Sequence, residues 1–338
     1  MERRTLVKDE LIEKIKRYID INKETKLKDL DLNNTKVRFL AQGEYNINFV
    51  LDSFPSKYVF RVNTGSQLEI ENQIRYEYNA IKYLEKSGVT PKVYFVDDSL
   101  SYFDYGILIM EFLEGIPLNY NKDLSKAANI FSKIHSLKID KSNHFILEEK
   151  IFSDRIKEGE RLLENIWHNP LIDKNVKGFF YKFLDFTKDN RDKENYFIED
   201  PWHVINNTEV NSHNFIIGRE KSYLIDWEKP VISDPSQDLT QFIAPTTTLW
   251  KTEYLLSKEE KNNFFKVYIK GLNGKNKDIE ERVYMYTPYL YLRALAWSAH
   301  AYVEYHDPNK KIKNMDTFAK IEEYLQIDFM KDLLKDYF

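Results

Sequence analysis

The sequence contains no cysteine, and this absence excludes several kinds of site at once. Without cysteine there is no disulfide bond, no thiolate ligand to a metal and no catalytic thiol. No apolar run is long enough to span a bilayer, and the start of the chain lacks the apolar segment of a signal peptide. We therefore expect a cytoplasmic enzyme or binding protein that does not bind a membrane.

The chain also lacks an excess of charge of one sign. Its 50 Lys and Arg residues nearly balance its 54 Asp and Glu residues, which leaves a formal net charge of −4. Nucleic acid calls for a basic surface that follows its phosphates, so this balance argues against nucleic acid as a partner. The 338 residues, 42% of them apolar and 31% charged, are enough for a soluble globular protein with two lobes.

Hydrophobic periodicity predicts strands early in the chain and mostly helices later. The early elements are an amphipathic helix over 8–20, hairpins over 35–63, a helix over 67–87 that ends at Gly88, and two strands before residue 114. We expect an α+β protein with a small β-rich N-lobe over residues 1–113. A larger, mainly helical C-lobe follows over residues 114–338.

One β-hairpin interrupts the helical part of the sequence. Its turn is expected to contain three residues, 219–221, so that Gly218 pairs with Ser222. The same register places Asn214 opposite Asp226. Opposed residues on one face of a sheet have Cβ atoms roughly 4.5–5.5 Å apart, which suits two oxygen ligands on one Mg²⁺ ion. An ordinary polar cross-strand pair is the alternative.

A glutamate precedes this hairpin at the spacing of a phosphoryl-transfer loop. In phosphoryl transfer a carboxylate orients the attacking hydroxyl and accepts its proton, while an asparagine and an aspartate hold the metal. Glu209, Asn214 and Asp226 occur in that order and are therefore predicted as the catalytic residues. Asn214 and Asp226 are the predicted Mg²⁺ ligands. The loop and hairpin together span residues 204–228, in the expected C-lobe.

The N-lobe offers a second pair of charged residues. In the predicted helix over 67–87, Glu77 falls inside the apolar stripe. A carboxylate on a buried face needs a partner, and Arg61 in a neighbouring strand is the natural candidate. Kinases hold the nucleotide phosphates with a strand cation paired to a helix glutamate. A partly exposed Glu77 is the alternative.

Two further segments are candidates for binding a nucleotide. The loop around Gly43 lies between two predicted strands and is placed to cover the phosphates, although a plain hairpin turn explains one glycine equally well. After the last strand of the N-lobe, the backbone of Glu111 and Leu113 is placed to hydrogen-bond an adenine edge.

Taken together, these segments resemble the aminoglycoside phosphotransferase and choline kinase-like family, relatives of the protein kinases. The resemblance covers about residues 37–240. The matching segments are YVFRVN, the helix with Glu77 and Leu84, MEFLEG, KIHSL, NTEVNSHN, IDWE, SDP and QDL. The last three are the most specific match and contain Asp226, Glu228, Asp234 and Asp238.

The resemblance implies a bilobal protein-kinase-like fold and a transferase that uses Mg²⁺. Such an enzyme moves the γ-phosphate of ATP or GTP to a hydroxyl of a small acceptor of the aminoglycoside, choline, sugar or amino-alcohol type. In it, Arg61, braced by Glu77, contacts the phosphates, and the backbone at Glu111 and Leu113 binds the base. His135, in KIHSL, is interpreted as structural.

Some positions depart from the family pattern. The departures are Asn207 in place of His, Glu209 in place of the catalytic Asp, His213 in place of a small residue, and Ser233 in place of Gly. Glutamate keeps the proton-accepting chemistry but reaches one methylene further. The main alternative is an inactive pseudokinase that binds a nucleotide or a partner. His213 is an alternative base, and a loop histidine facing solvent is the simpler interpretation of it.

Two other questions stay open in the sequence. A protein kinase is a weaker alternative, since nothing resembles an activation segment ending in Ala-Pro-Glu. Tyr289, Arg293 and Trp297 lie on one face of a predicted helix, where aromatic rings could surround a quaternary ammonium. Core packing is the competing interpretation of that face.

Overall fold

A computed structural model of the chain describes residues 2–43, 45–66, 70–140, 144–272, 278–308, 310 and 314–338. The strands are β1 (Lys36–Gln42), β2 (Asn46–Ser53), β3 (Ser56–Asn63), β4 (Val93–Asp97), β5 (Gly106–Glu111), β6 (Ile116–Pro117), β7 (Ile146–Leu147), β8 (Val204–Asn206), β9 (Phe215–Ile217), β10 (Ser222–Leu224) and β11 (Val231–Ser233). The helices are α1 (Glu2–Asn22), α2 (Gln73–Leu84), α3 (Tyr120–His135), α4 (Ile151–Leu163), α5 (Lys174–Asp189), α6 (Asn195–Glu199), α7 (Ser236–Ile243), α8 (Pro245–Lys251), α9 (Lys258–Gly271), α10 (Ile279–His306), α11 (Met315–Tyr324) and α12 (Ile327–Leu334).

The chain forms two compact units. The N-terminal unit contains the residues up to Pro117 together with Phe215–Pro230, and the C-terminal unit contains Leu118–Asn214 and Val231–Phe338. The first unit is rich in strands and the second is mainly helical, which confirms the predicted α+β class. The division differs from the expected lobes at the hairpin, which was expected in the C-lobe and groups with the N-terminal unit.

The hairpin of β9 and β10 joins the N-terminal unit through backbone hydrogen bonds. Strand β9 pairs with β6 to form a small antiparallel sheet. On the other strand, Leu224 donates its backbone N–H to the carbonyl of Val89 at 2.9 Å. These contacts depend on residues far apart in the sequence, so local patterns did not indicate them.

The register of this hairpin differs from the predicted one by one residue. Ser222 pairs with the residue before Gly218. Gly218 instead donates its N–H to the carbonyl of Lys221 at 3.0 Å, and a Cβ on Gly218 would lie 2.6 Å from that oxygen. The turn therefore contains two residues rather than three. Because a one-residue shift changes the face of every side chain, the predicted opposition of Asn214 and Asp226 is wrong.

The N-terminal unit is built on an antiparallel sheet with the strand order β1-β2-β3-β5-β4. Helix α1 covers one face, where Ile15 and Ile19 are buried in one cluster with Phe49 and Phe60. The helix predicted over 8–20 is confirmed, and it extends beyond that range at both ends. Its apolar stripe anchors it to the sheet, so the charged residues between lie outward.

Helix α2 is shorter than the predicted range of 67–87. It begins after Asn72, whose side chain caps it by accepting a hydrogen bond from the backbone N–H of Arg75 at 3.2 Å. A short 3₁₀ turn follows it, and Gly88 ends that turn with a left-handed φ of 70°, as predicted. Residues 67–69 lie outside the described residues.

The C-terminal unit is organised around the long helix α10, which packs along α4 and α7, while α3 packs on α9. A small sheet with the order β7-β11-β8 lies in the same unit. Strand β8 leads into the predicted catalytic loop and β11 leads into α7. Among the described residues, no helix combines the length and the apolar character needed to cross a membrane.

Candidate active site

Arg61, on β3, is buried in the N-terminal unit and forms an ion pair with Glu77 on α2. Its Nη1 donates to the Glu77 carboxylate, and its Nε donates to Oδ1 of Asn48 at 2.9 Å. Arg61 is 6% exposed and Glu77 is 0% exposed. The predicted partnership is confirmed, and the alternative of a partly exposed Glu77 is excluded.

Burial and charge act in opposite directions on this pair. Burial raises the pKa of Glu77 from 4.5 to about 7, although the positive charge of Arg61 opposes the shift. Burial would lower the pKa of Arg61, but the carboxylates of Glu77, Asp226 and Glu228 outweigh it and raise that pKa. Arg61 is therefore a permanent cation, and its hydrogen bonds to Glu77 and Asp226 orient it.

Asp226 lies two residues after the end of β10, in the N-terminal unit, and contacts the same arginine. Its Oδ1 accepts a hydrogen bond from Nη2 of Arg61 at 3.3 Å. Its φ of 65° is left-handed, a conformation that aspartate tolerates better than most residues. The next residue, Trp227, is buried and its Nε1 donates to the carbonyl of Leu224 at 3.0 Å. This turn fixes the backbone from which the Asp226 carboxylate extends.

Glu228 was not predicted as a site residue, and the structure places it in the same cluster. Its carboxylate accepts a hydrogen bond from Nδ2 of Asn46 on β2. Burial, followed by repulsion from Asp226, raises the pKa of Glu228 to about 8. Asn46 and Asn48 were also missed. The available signal was two asparagines, two residues apart, at the start of a strand whose next residues are apolar.

The donor set around Arg61 fits a divalent cation. Three carboxyl groups, those of Glu77, Asp226 and Glu228, act on a single arginine, and the raised pKa of Glu228 shows that its charged form is disfavoured there without a further cation. Carboxylate oxygens are preferred ligands of Mg²⁺, which usually takes one or two of them and completes its shell with phosphate oxygens and water. Among the described residues, no three His, Asp or Glu side chains group together to hold a metal ion alone.

Gly43 lies in the turn between β1 and β2. Its N–H donates to the carbonyl of Asn46 at 2.9 Å. A Cβ at this position would meet only that oxygen, at the ordinary distance of 3.9 Å, so the turn does not require a glycine. The neighbouring Glu44 lies outside the described residues. The role of this loop in covering phosphates stays a prediction.

Glu111 ends β5, and Leu113 follows it after the sheet. The backbone N–H of Glu111 donates to the carbonyl of Lys92 at 2.8 Å. The Glu111 side chain accepts a hydrogen bond from the Lys92 N–H at 3.1 Å. The N–H of Glu111 is therefore already paired inside the N-terminal unit, and adenine binding by the backbone at Glu111 and Leu113 stays a prediction.

The predicted catalytic loop, residues 207–214, follows β8 in the C-terminal unit. Its start is held by Asp238 of α7, whose carboxylate accepts hydrogen bonds from the backbone N–H groups of Asn207 at 2.6 Å and Thr208 at 2.8 Å. Thr208 has a left-handed φ of 70°. A carboxylate bound to two amides fixes this otherwise unfavourable backbone turn.

The loop brings Glu209 and Asn214 together. Nδ2 of Asn214 donates to the backbone carbonyl of Glu209 at 2.7 Å, which directs the amide oxygen of Asn214 away from that carbonyl. The Glu209 N–H donates to Oδ1 of Asn207 at 3.0 Å. Asn207 is thus a buried residue that shapes the loop, a role that the sequence did not indicate.

His135 lies below this loop, on α3. Its side chain is buried, with Nδ1 at 2.9 Å from the hydroxyl of Tyr268 and Nε2 at 4.0 Å from Oδ2 of Asp238. Burial raises the pKa of Tyr268 well above its ordinary value, so its hydroxyl keeps its proton. These contacts support the structural interpretation of His135.

His213 lies in the same loop with an exposed side chain. The His213 ring is partly buried, and this burial, together with the positive charge of Lys251, lowers the pKa of His213. Its Nδ1 is 3.3 Å from the hydroxyl of Ser212. The geometry matches the simpler interpretation, a loop histidine facing solvent.

The His213→Ala variant is therefore expected to retain turnover close to that of the wild type. Steady-state kcat, measured for His213→Ala and for the wild type, tests this expectation. Because a general base contributes about 10²–10⁴-fold, a loss of that size would identify His213 as the base and remove Glu209 from the role.

The aromatic helix α10 is largely core. Tyr289 is buried, its ring stacks on Phe152 with centroids 3.8 Å apart, and its hydroxyl donates to the carbonyl of Thr187 at 3.1 Å. Arg293 forms an ion pair with Glu158 at 3.2 Å. The core-packing interpretation is therefore confirmed for Tyr289, which is not available to surround an ammonium group.

Solved structures with this fold cover nearly the whole chain. A choline kinase from Cryptosporidium parvum Iowa II is similar with a TM-score of 0.62 and 16% identity, covering 95% of this chain and 96% of that protein. An ethanolamine kinase from Plasmodium vivax has a TM-score of 0.58 and 17% identity, with coverages of 89% and 85%. A spectinomycin phosphotransferase solved with ADP and spectinomycin has values of 0.59 and 15%, with coverages of 94% and 96%.

No protein-family model and no curated protein matches the sequence. At such low identities the likeness to solved structures establishes the fold, and the predicted bilobal, protein-kinase-like fold is confirmed. That this fold is the one of choline kinases and aminoglycoside phosphotransferases agrees with the resemblance that the sequence motifs indicate.

Proposed function

We propose that this chain, which shares its fold with choline kinases and aminoglycoside phosphotransferases, is a small-molecule kinase. It transfers the γ-phosphate of ATP or GTP to a hydroxyl of a small acceptor. The solved structures with this fold include kinases of choline and ethanolamine and a phosphotransferase of spectinomycin, so amino-alcohols and aminoglycosides are the first acceptors to consider.

The buried ion pair of Arg61 and Glu77 carries the proposal. A buried guanidinium with an excess of carboxylates around it is expensive to maintain without a ligand. The pair has the parts that hold nucleotide phosphates in kinases, a strand cation braced by a helix glutamate. Asp226, which acts on the same arginine, adds an oxygen ligand for a magnesium–nucleotide complex.

The proposed roles follow from these placements. Arg61 contacts the phosphates, and the backbone at Gly43 lies over them. The Glu111 carbonyl and the Leu113 N–H bind the base. Bound Mg²⁺ would neutralise charge on the transferred phosphoryl group, and Asp226 and Asn214 are its proposed ligands.

Glu209 is the proposed general base. Its backbone is fixed on both sides, by the Asn207 side chain at its N–H and by the Asn214 side chain at its carbonyl. With its backbone fixed, the carboxylate is the proposed acceptor of the proton from the acceptor hydroxyl as the phosphoryl group transfers.

Turnover with a small acceptor panel tests the proposal directly. The purified chain is incubated with Mg²⁺ and ATP or GTP plus choline, ethanolamine or spectinomycin, and the acceptor is analysed by mass spectrometry for the gain of one phosphoryl group. Phosphorylation of one acceptor that requires both Mg²⁺ and the nucleotide supports the kinase. If nucleoside diphosphate is released at the same rate whether or not any of these acceptors is present, the result counts against a small-molecule kinase.

The Glu77→Gln variant is expected to flatten the pH dependence of stability. The pKa of Glu77 is about 7 in the folded protein, against an ordinary value of 4.5, so the folded state binds this proton more tightly than the unfolded state. The free energy of unfolding therefore falls as pH rises from about 4.5 to about 7. Urea unfolding at about pH 5 and about pH 8 should differ less in the variant than in the wild type.

Asp98→Asn is the matched control for that measurement. Its hydrogen bonds with Arg75 hold the pKa of Asp98 below its ordinary value, so its contribution is lost only as pH falls below the ordinary carboxyl range. The control should leave the difference between the two pH values unchanged. An equal flattening in both variants would contradict the assignment to Glu77.

An inactive pseudokinase is the second candidate. The observation in its favour is the composition of the catalytic loop. Glu209 and Asn207 stand where related sequences are expected to carry Asp and His. In that case the nucleotide still binds at Arg61 and the carboxyl groups of Glu77, Asp226 and Glu228, here called the Arg61 cluster. No acceptor is then phosphorylated. Nucleotide binding without turnover for any acceptor would support this candidate.

A further inference from the structure

A fully buried arginine lies on α10, remote in sequence from the catalytic loop. Arg282 is 0% exposed. The ring centroids of Tyr196 and Phe197 lie 4.8 and 5.3 Å from its Cζ. A charge that is removed from water in this way needs strong partners, and those partners indicate what the arginine fixes.

Arg282 joins two acidic residues from separate segments. Its Nη1 donates to Oδ2 of Asp234 at 2.5 Å, while its Nη2 donates to the Asp200 carbonyl at 2.7 Å and to Oδ2 of Asp200 at 3.1 Å. The other oxygen of Asp234 accepts the backbone N–H of Ser236 at 2.9 Å. Ser236 is the first residue of α7, so Arg282 fixes the start of that helix through Asp234.

Helix α7 in turn holds the start of the catalytic loop. Asp238, on its first turn, accepts the N–H groups of Asn207 and Thr208 and donates its own N–H to Oδ1 of Asn206 at 3.2 Å. One turn of α7 is therefore bound to two backbone N–H groups of the loop and to the side chain of Asn206, the last residue of β8. A displacement of that turn displaces the residues next to Glu209.

We propose that Arg282 is a positioning residue, which fixes α7 through Asp234 and thereby places the catalytic loop through Asp238. It touches no substrate. The inference rests on the proposed function only in taking Glu209 as the base that the loop carries. The planar guanidinium suits this role because it reaches Asp234 and Asp200 at once, which the single ammonium of a lysine does not.

Hydrogen exchange at the loop and kinetics together test the proposal. In Arg282→Met, the amides of Asn207 and Thr208 are expected to exchange at least about tenfold faster, since their acceptor is no longer fixed. If the base moves by about 1 Å, kcat falls on the order of 10²-fold. KM for the nucleotide changes less than kcat, because among the proposed nucleotide and metal contacts only Asn214 lies in this loop.

Glu194→Gln is the matched control. Glu194 is a buried carboxylate of the same unit that accepts the backbone N–H groups of Phe152 and Ser153 at 2.7 and 2.8 Å, at the start of α4. Its loss removes a buried charge without touching α7. This variant should lose stability while exchange at Asn207 and Thr208 stays as in the wild type.

A milder variant, Arg282→Lys, covers the case in which Arg282→Met does not fold. It keeps a positive charge beside Asp234 but gives up the bridge to Asp200, so a smaller change in the same direction is expected. Unchanged exchange at Asn207 and Thr208, or an equal rise in Glu194→Gln, overturns the proposal. A wild type without turnover overturns the proposed function instead, while the exchange result still decides the role of Arg282.

Discussion

The Asp226→Asn variant is expected to lose the Mg²⁺-dependent stabilisation by nucleotide and nearly all turnover. Asp226 supplies a charged oxygen to the proposed Mg²⁺ and contacts Arg61 at 3.3 Å. An amide keeps the shape but removes the negative charge that a divalent cation needs. Since metal-ion catalysis contributes several kcal/mol of charge stabilisation, a fall in kcat of about 10³-fold is expected.

Thermal unfolding with and without ligand measures the binding part of this prediction. A ligand at a hundred times its dissociation constant stabilises the folded state by about 2.7 kcal/mol. ATP or GTP should raise Tm in the wild type when Mg²⁺ is present, and much less when it is absent. In Asp226→Asn the difference between the two conditions should disappear.

Asp98→Asn serves as the control here too, because it makes the same chemical change at another arginine of the same unit. Asp98 binds Arg75 at 2.6 and 2.9 Å, and it has no place in the proposed site. This variant should keep the full Mg²⁺-dependent shift. A normal shift and normal turnover in Asp226→Asn would remove Asp226 from the site and leave Arg61 without its proposed metal.

The Arg61–Glu77 pair could be predicted because its signals are local. The helical period alone places Glu77 on the buried face, and burial requires a partner for its charge. For Asn46 and Asn48 the sequence offered only their spacing, and their link to the site came with the register of β2 against β3, in which Asn48 lies directly opposite Arg61. Pairing of strands is set by contacts distant in sequence, which one pattern in one strand does not contain.

The length of the hairpin turn changes the arrangement that was predicted for the site. Two- and three-residue turns are built from the same residue types, and the close approach of Lys221 to Gly218 selects the shorter one. The resulting shift removes the expected pairing of Asn214 with Asp226. Glu209, Asn214 and Asp226 were proposed from motif and spacing, whereas the register of the hairpin depends on a backbone contact of about 3 Å.

The catalytic loop depends on a different kind of long-range contact. Asp238 binds the amides of Asn207 and Thr208 across about thirty residues of sequence. No periodicity links the two segments, so the sequence pointed to Asp238 only through the resemblance of QDL to a family motif. The physical purpose of that aspartate, to hold two backbone N–H groups, is clear from the structure alone.

The Glu209→Gln variant is expected to bind nucleotide normally and to lose most of its turnover. The glutamine keeps the length of the side chain and both backbone anchors of the loop but does not accept a proton. A general base contributes about 10²–10⁴-fold to the rate, and kcat should fall by that factor while the Mg²⁺-dependent Tm shift stays intact. Glu253→Gln, at an exposed carboxylate of the same unit, should change neither quantity.

Glu209→Asp then tests whether this loop has adapted to the longer side chain. If the Asn207 and Asn214 anchors set the backbone back to fit glutamate, the aspartate carboxylate lies too far from the acceptor, and kcat falls by roughly 10²-fold. A gain in kcat with aspartate would mean that the glutamate is a poor fit in an otherwise standard loop. Turnover that is unaffected in both Glu209→Gln and Glu209→Asp would exclude Glu209 as the base, because the first change removes the proton acceptor and the second moves it.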